Sequence, residues 1–145
     1  MADSMIAFAK GSKLPTVEEF ITQMKIMGVE LEEWEENYNL KDMGIAGVWP
    51  GKYKGVEIGF EFDAVLLEEE EYDDFDWIDD FKDILDGRDY RIDFTFRSED
   101  EVYASAIGLA VLCKMSDALA LDDDEELTVN ASNADEWVEE FISSM

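Results

Sequence analysis

The chain has 145 residues, of which 38 are Asp or Glu and 11 are Lys or Arg, giving a formal net charge of −27. It contains no histidine and one cysteine, Cys113, which excludes histidine general bases, Ser-His and Cys-His nucleophiles, the commonest metal ligand and any internal disulfide. Yet 47% of the residues are hydrophobic and 12% aromatic, so the acidity rides on a chain that can build a core, unlike a disordered acidic tail.

The charge is unevenly spread. Residues 55–145 carry 29 Asp and Glu against 5 Lys and Arg, whereas residues 1–54 carry 9 against 6. Such an excess opposes compaction but draws a cationic partner in from a distance. The length fits one domain. Ala7, Phe8 and Ala9 are too short an apolar run for a signal peptide, with no Lys or Arg before them. The longest apolar stretch, 104–113, falls short of the roughly 20 residues needed to span a bilayer. The expectation is a cytoplasmic protein without a membrane partner, since anionic lipid would repel it, and with the monomer as its simplest state.

In chain order, Thr16 and Glu19 have capping-box spacing, and Val17, Phe20, Ile21 and Met24 share one helical face. Gly28 then closes that helix. A second short helix is predicted from Leu31 to Asn39, with Leu31, Trp34 and Tyr38 inward. Residues 44–55, with four glycines and one proline, read as a loop. Val56, Ile58, Phe60 and Phe62 alternate with Glu57, Gly59, Glu61 and Asp63, the pattern of a strand with one apolar and one acidic side. Tyr90, Ile92, Phe94 and Phe96 alternate in the same way with Arg91, Asp93, Thr95 and Arg97. Paired with each other, the two strands would set Glu57, Glu61 or Asp63 across from Arg91 or Arg97.

Between these strands runs the densest acidic tract, Glu68, Glu69, Glu70, Glu71, Tyr72, Asp73, Asp74, Phe75, Asp76, Trp77, Ile78, Asp79, Asp80, Phe81, Lys82 and Asp83. From Asp74 the spacing predicts a helix burying Trp77, Ile78, Phe81, Ile84 and Leu85, exposing Asp76, Asp80 and Asp83 beside Asp79, and closed by Gly87. Like charges at such spacing disfavour the helix by a few tenths of a kcal/mol per pair. They resemble the repeat of phosphates along a nucleic-acid strand and suit a basic groove, although a solvated helix face is the plainer account.

Ser98 and Glu101 repeat the capping-box spacing before an alanine-rich helix, apolar on most sides and hence central. Residues 118–121 and 127–130 read as short strands joined through Asp122, Asp123, Asp124, Glu125 and Glu126. That acidic run lacks the Gly and Glu of a calcium loop, having Leu127 and Asn133 there, so a polar hairpin turn is the better reading. Asn133 and Glu136 then start a final helix carrying Trp137, Val138, Phe141 and Ile142 inward. Cys113 belongs to the core, and Lys52 and Lys54 read as ion-pair partners for the surrounding acids. The elements add up to a single α+β domain, a small antiparallel sheet packed by helices on one face.

The run Tyr53-Lys54-Gly55-Val56-Glu57-Ile58-Gly59-Phe60-Glu61-Phe62, then Asp93-Phe94-Thr95-Phe96-Arg97-Ser98, the helix from Glu101, a short strand leading into Asp122 and the closing helix around Trp137 together resemble one type of immunity protein from bacterial polymorphic-toxin systems, of the contact-dependent or type VI kind. The resemblance spans residues 50–142. Where that family often has a turn glycine, this chain has Ser116, Asp117 and Ala118. The resemblance implies a small, cytoplasmic, non-catalytic protein that covers the active site of one cognate toxin, with no cofactor, metal or catalytic residues. The expected partner is a basic toxin domain acting on nucleic acid, with no direct contact to nucleic acid. The expected partner-binding residues are Glu57, Glu61 and Asp63 with the acids from Glu68 to Asp83, and Tyr72, with Phe75 if it is not buried, provides the aromatic anchors. A stand-alone mimic of DNA or RNA, of the anti-restriction or anti-CRISPR type, is the alternative.

Overall fold

The structure, a computed structural model, describes residues 3–33, 38–42, 48–68, 75, 78, 80–121 and 127–143. Seven strands form one antiparallel sheet: β1 (Asp3–Ala9), β2 (Val29–Leu31), β3 (Val48–Tyr53), β4 (Val56–Leu66), β5 (Tyr90–Phe96), β6 (Leu119–Leu121) and β7 (Leu127–Val129). Their order across the sheet is β2-β3-β4-β5-β1-β6-β7. The helices are α1 (Val17–Ile26), α2 (Phe81–Leu85), α3 (Glu99–Ser116) and α4 (Ala134–Ser143). The α+β antiparallel architecture read from the sequence is the one found, with a larger sheet.

Local chemistry sets the helix ends. Thr16 Oγ1 accepts from the Glu19 amide at 3.3 Å while Glu19 Oε1 accepts from the Thr16 amide at 3.0 Å, a reciprocal capping box that satisfies two otherwise unpaired donors. Gly28, at φ +98, turns the chain out of α1 straight into β2. Ser98 Oγ likewise accepts from the Glu101 amide at 3.3 Å, but the Glu101 carboxylate takes the Arg97 amide instead, at 3.0 Å. Asp117 closes α3 at φ +52, a left-handed position at which aspartate is among the few tolerated non-glycine residues.

On one face of the sheet, Ala7, Val29, Trp49, Tyr53, Ile58, Phe62, Ile92 and Phe94 meet α1, α3 and α4 in the main core. Phe62 packs on Phe94 at 5.6 Å and on Phe20 of α1 at 6.3 Å between ring centroids. Eleven residues of α3 are buried, as its nearly all-round apolar sequence requires. On the opposite face Phe8, Leu67, Phe75, Phe81 and Leu85 form a second, smaller core. Helices therefore do not all lie on one side, because α2 covers part of the other.

Three expectations are corrected. Residues 48–53 are strand β3 rather than loop: Trp49 and Tyr53 point into the core, and Trp49 Nε1 donates to the Glu32 carbonyl at 2.8 Å. Lys54 and Gly55, both at positive φ, make the two-residue turn that a β3–β4 hairpin favours. Gly51 stands where a Cβ would lie 2.7 Å from the Glu30 carbonyl oxygen, so the glycine that suggested a loop lets β2 approach. Leu31 ends strand β2 instead of starting a helix, and residues 34–37 of that helix lie outside the described residues. Lastly, among the described residues the helix of the acidic tract spans Phe81–Leu85, and Ile84, expected inward, is 39% exposed.

Candidate partner-binding surface

Strand alternation and register build the outward face. Opposite the main core, β4 presents Glu57, Gly59, Glu61, Asp63 and Val65, and β5 presents Arg91, Asp93 and Thr95, with Arg97 just past its end. Glu61 lies across from Thr95, Asp63 from Asp93 and Val65 from Arg91. On the far side, Lys52 of β3 sits between Glu57 of β4 and Glu30 of β2. The acids of β4 are thus brought onto one rigid surface.

The pairing differs from the neat opposition of charges that alternation suggested. Arg97 does meet Glu61, in a diagonal ion pair. Arg91, however, donates from Nε to Asp93 on its own strand at 3.0 Å and lies over the Phe75 ring, 5.1 Å from its centroid. Asp63 is left directly opposite Asp93, a like-charge pair that disfavours the free sheet. Burial pushes the Asp63 carboxyl above its ordinary 3.8, and the facing Asp93 adds to the rise; the Ala64 amide and Arg91 act against it. Its Oδ1 is buried with no hydrogen-bond partner among the described residues. A buried carboxylate oxygen without a donor is uncommon in folded proteins.

The acidic tract borders this face. Phe8 of β1 holds the tract's aromatics, with Phe75 at 5.3 Å and Phe81 at 5.4 Å, both edge-on, while Phe75 and Phe81 stack at 5.1 Å. Phe75 is 3% exposed, so it is a core residue and not the aromatic anchor of an interface. Glu68, Asp80 and Asp83 are exposed, and Asp80 adopts the left-handed conformation at φ +56. Glu69, Glu70, Glu71, Tyr72, Asp73, Asp74, Asp76 and Asp79 lie outside the described residues, as do Trp77 and residues 122–126.

Sequence reasoning missed Glu30 and Asp93 as parts of the surface. Asp93 was visible in the alternation of β5, but its position opposite Asp63 depends on register. Glu30 was assigned to no strand. With Glu32, Lys52, Glu57 and Ile58 it lines an open groove of about 400 Å³ at the β2–β4 end of the sheet.

Elsewhere the titrations are structural. Cys113, in the core, has its thiol pushed up to about 12 by burial. Tyr103 donates its hydroxyl to Glu99 at 3.0 Å, which holds the neutral phenol and pushes its pKa above the ordinary 10.0. Among the described residues no group of three His, Cys, Asp or Glu side chains is placed to hold a metal ion, and no helix is long and apolar enough to cross a membrane. No protein-family model matches the chain, and no curated protein or solved structure matches it.

Proposed function

We propose that this chain is a non-catalytic immunity protein that binds a basic toxin domain and neutralises it by covering its nucleic-acid-acting site. The observation that carries the reading is the Asp63–Asp93 opposition: two carboxylates face each other on paired strands, and one buried oxygen has no donor among the described residues. Like charges held rigidly together weaken the free protein and strengthen its complex with a cation. Glu57, Glu61 and the bordering Glu68, Asp80 and Asp83 extend the same sign of charge over the surface, and the 29 acids of residues 55–145 supply a field that steers a cationic protein toward it. The resemblance of residues 50–142 to immunity proteins supports the same reading.

A guanidinium or ammonium from the partner would form charge-assisted hydrogen bonds with the accessible carboxylate oxygens of Asp63 and Asp93. The groove beside Glu30, Glu32 and Glu57 offers a second place for a basic side chain. Co-expression of the chain with any basic toxin domain found encoded beside its gene tests the proposal. Rescue of growth together with a stable purified complex is the expected result. Growth arrest in the presence of abundant, folded protein would overturn it, and displacement of DNA from a host nuclease without any toxin would favour the stand-alone mimic instead.

A further inference from the structure

Arg91 stands where the second core meets the acidic face. In the register of β5 it lies between Phe8 of β1 and Val65 of β4, so its side chain leaves the sheet beside the ring on which Phe75 and Phe81 pack. Its guanidinium carbon is 5.1 Å from the centroid of the Phe75 ring, within the range of a cation–π contact. Two residues along the same strand, and hence on the same face, Asp93 Oδ1 accepts from Arg91 Nε at 3.0 Å. Asp93 in turn stands opposite Asp63 across the β4–β5 ladder. Phe75, Arg91, Asp93 and Asp63 thus form an unbroken series of neighbours running from an apolar core to a pair of like charges.

No other cation takes this place among the described residues. Arg97 is engaged by Glu61, β1 sets uncharged Ile6 opposite Asp93, and the buried residues of α2 are Phe81 and Leu85, with its Lys82 and Asp83 exposed. The side chains of Arg91 and Asp93 are only 22% and 27% exposed, so their pairing is less screened than one at the open surface. A guanidinium is suited to the position, because an edge nitrogen can donate to a carboxylate while the delocalised charge lies over an aromatic ring. A lysine ammonium, a point charge on a flexible stem, cannot meet both demands in one fixed arrangement.

We propose that Arg91 is a positioning residue that couples the packing of Phe75 to the charge balance of the Asp63–Asp93 pair: the ring holds the guanidinium, and the guanidinium holds Asp93. An arginine side chain without such a neighbour samples many rotamers in water, and Phe75 restricts this one to the arrangement in which Nε meets Asp93. Without the ring the guanidinium turns to solvent and leaves two carboxylates facing each other unshielded. The coupling is reciprocal: taking the charge from Asp93 removes the bond that keeps Arg91 over Phe75. It belongs to the free protein and stands apart from the partner proposed above.

The test is NMR of the full chain, following the Arg91 Nε–H and the Asp63 carboxyl in wild type, Phe75→Leu, Arg91→Met and the double variant. Phe75→Leu keeps an apolar side chain in the second core and removes the aromatic face. The Arg91 Nε–H should exchange with water at least about tenfold faster in Phe75→Leu than in wild type. Arg91 acts to lower the Asp63 carboxyl, so Asp63 should titrate at higher pH in Arg91→Met and also in Phe75→Leu, and no higher in the double variant than in Arg91→Met alone. The sign separates this role from a merely structural one. Burial raises Asp63, so simple loosening of the second core would admit water and move its titration down. Asp93→Ala reads the coupling from the other end and should shift the Phe75 ring signals. A downward or absent shift of Asp63 in Phe75→Leu, single-variant shifts that add in the double, or Phe75 ring signals unmoved by Asp93→Ala would overturn the assignment.

Discussion

At the scale of the residue, the molecule is most informative where side chains are held against their own preference. Asp63 faces Asp93 with its carboxyl raised by burial, so its ionised form opposes folding. A carboxyl raised in the folded state binds its proton more tightly there than in the unfolded chain, and stability falls as pH rises above the ordinary 3.8. Asp63→Asn should therefore stabilise the free protein at neutral pH by about 0.2–1 kcal/mol. In urea melts that gain should shrink as the pH is lowered and Asp63 takes up its proton. A loss of stability at neutral pH would mean that Asp63 is compensated in the fold. Cys113 gives a second check. With its thiol at about 12 and fully buried, it should resist a thiol reagent at pH 8 and react only as fast as the chain opens. Rapid modification of the native protein would contradict the packing of α3 against β7, where Cys113 Sγ lies 3.8 Å from the Val129 carbonyl oxygen.

Elements differed in how far the sequence revealed them, for physical reasons. Helices α1 and α3 were legible because side-chain caps at Thr16 and Ser98 are local, and strands β4 and β5 because one face is buried and strict alternation follows. The β6–β7 pair was legible from two short apolar runs with an acidic stretch between them. By contrast, β1 lies between β5 and β6 with Ala7, Phe8 and Ala9 all fully buried, so no alternation marks it. β3 was hidden by Pro50 and Gly51, whose roles emerge only when β2 lies alongside. Within the acidic tract, apolar spacing located Phe81 and Leu85 correctly, but Phe75 cannot be recognised as core without knowing that Phe8 points to the far side of the sheet. Phe75→Ala removes a ring packed on Phe8, Phe81 and Arg91 and should cost about 3–5 kcal/mol of stability, seen as a large fall in the urea midpoint. If the midpoint hardly moves, the acidic tract is not anchored to the sheet through this residue.

For the whole molecule, a net charge of −27 is tolerable because two cores, one on each side of the sheet, outweigh self-repulsion that is spread over the surface and screened by salt. Charge alone would describe a solvated acidic protein equally well. The distinction lies in placement: carboxylates fixed on β4 and β5 and bordered by α2 outnumber the cations of the same face, and Asp63 stands opposite Asp93. The most direct test is the association rate of the chain with the proposed basic toxin domain, measured by stopped flow at low and at physiological ionic strength. Wild type is compared with a Glu57→Lys, Asp63→Lys, Asp83→Lys variant whose fold is verified by circular dichroism. Wild-type association should be fast and fall steeply with salt, and the variant should bind at least about tenfold more slowly at low salt with a shallower salt dependence. Equal rates for the two proteins at both salt concentrations would contradict the account.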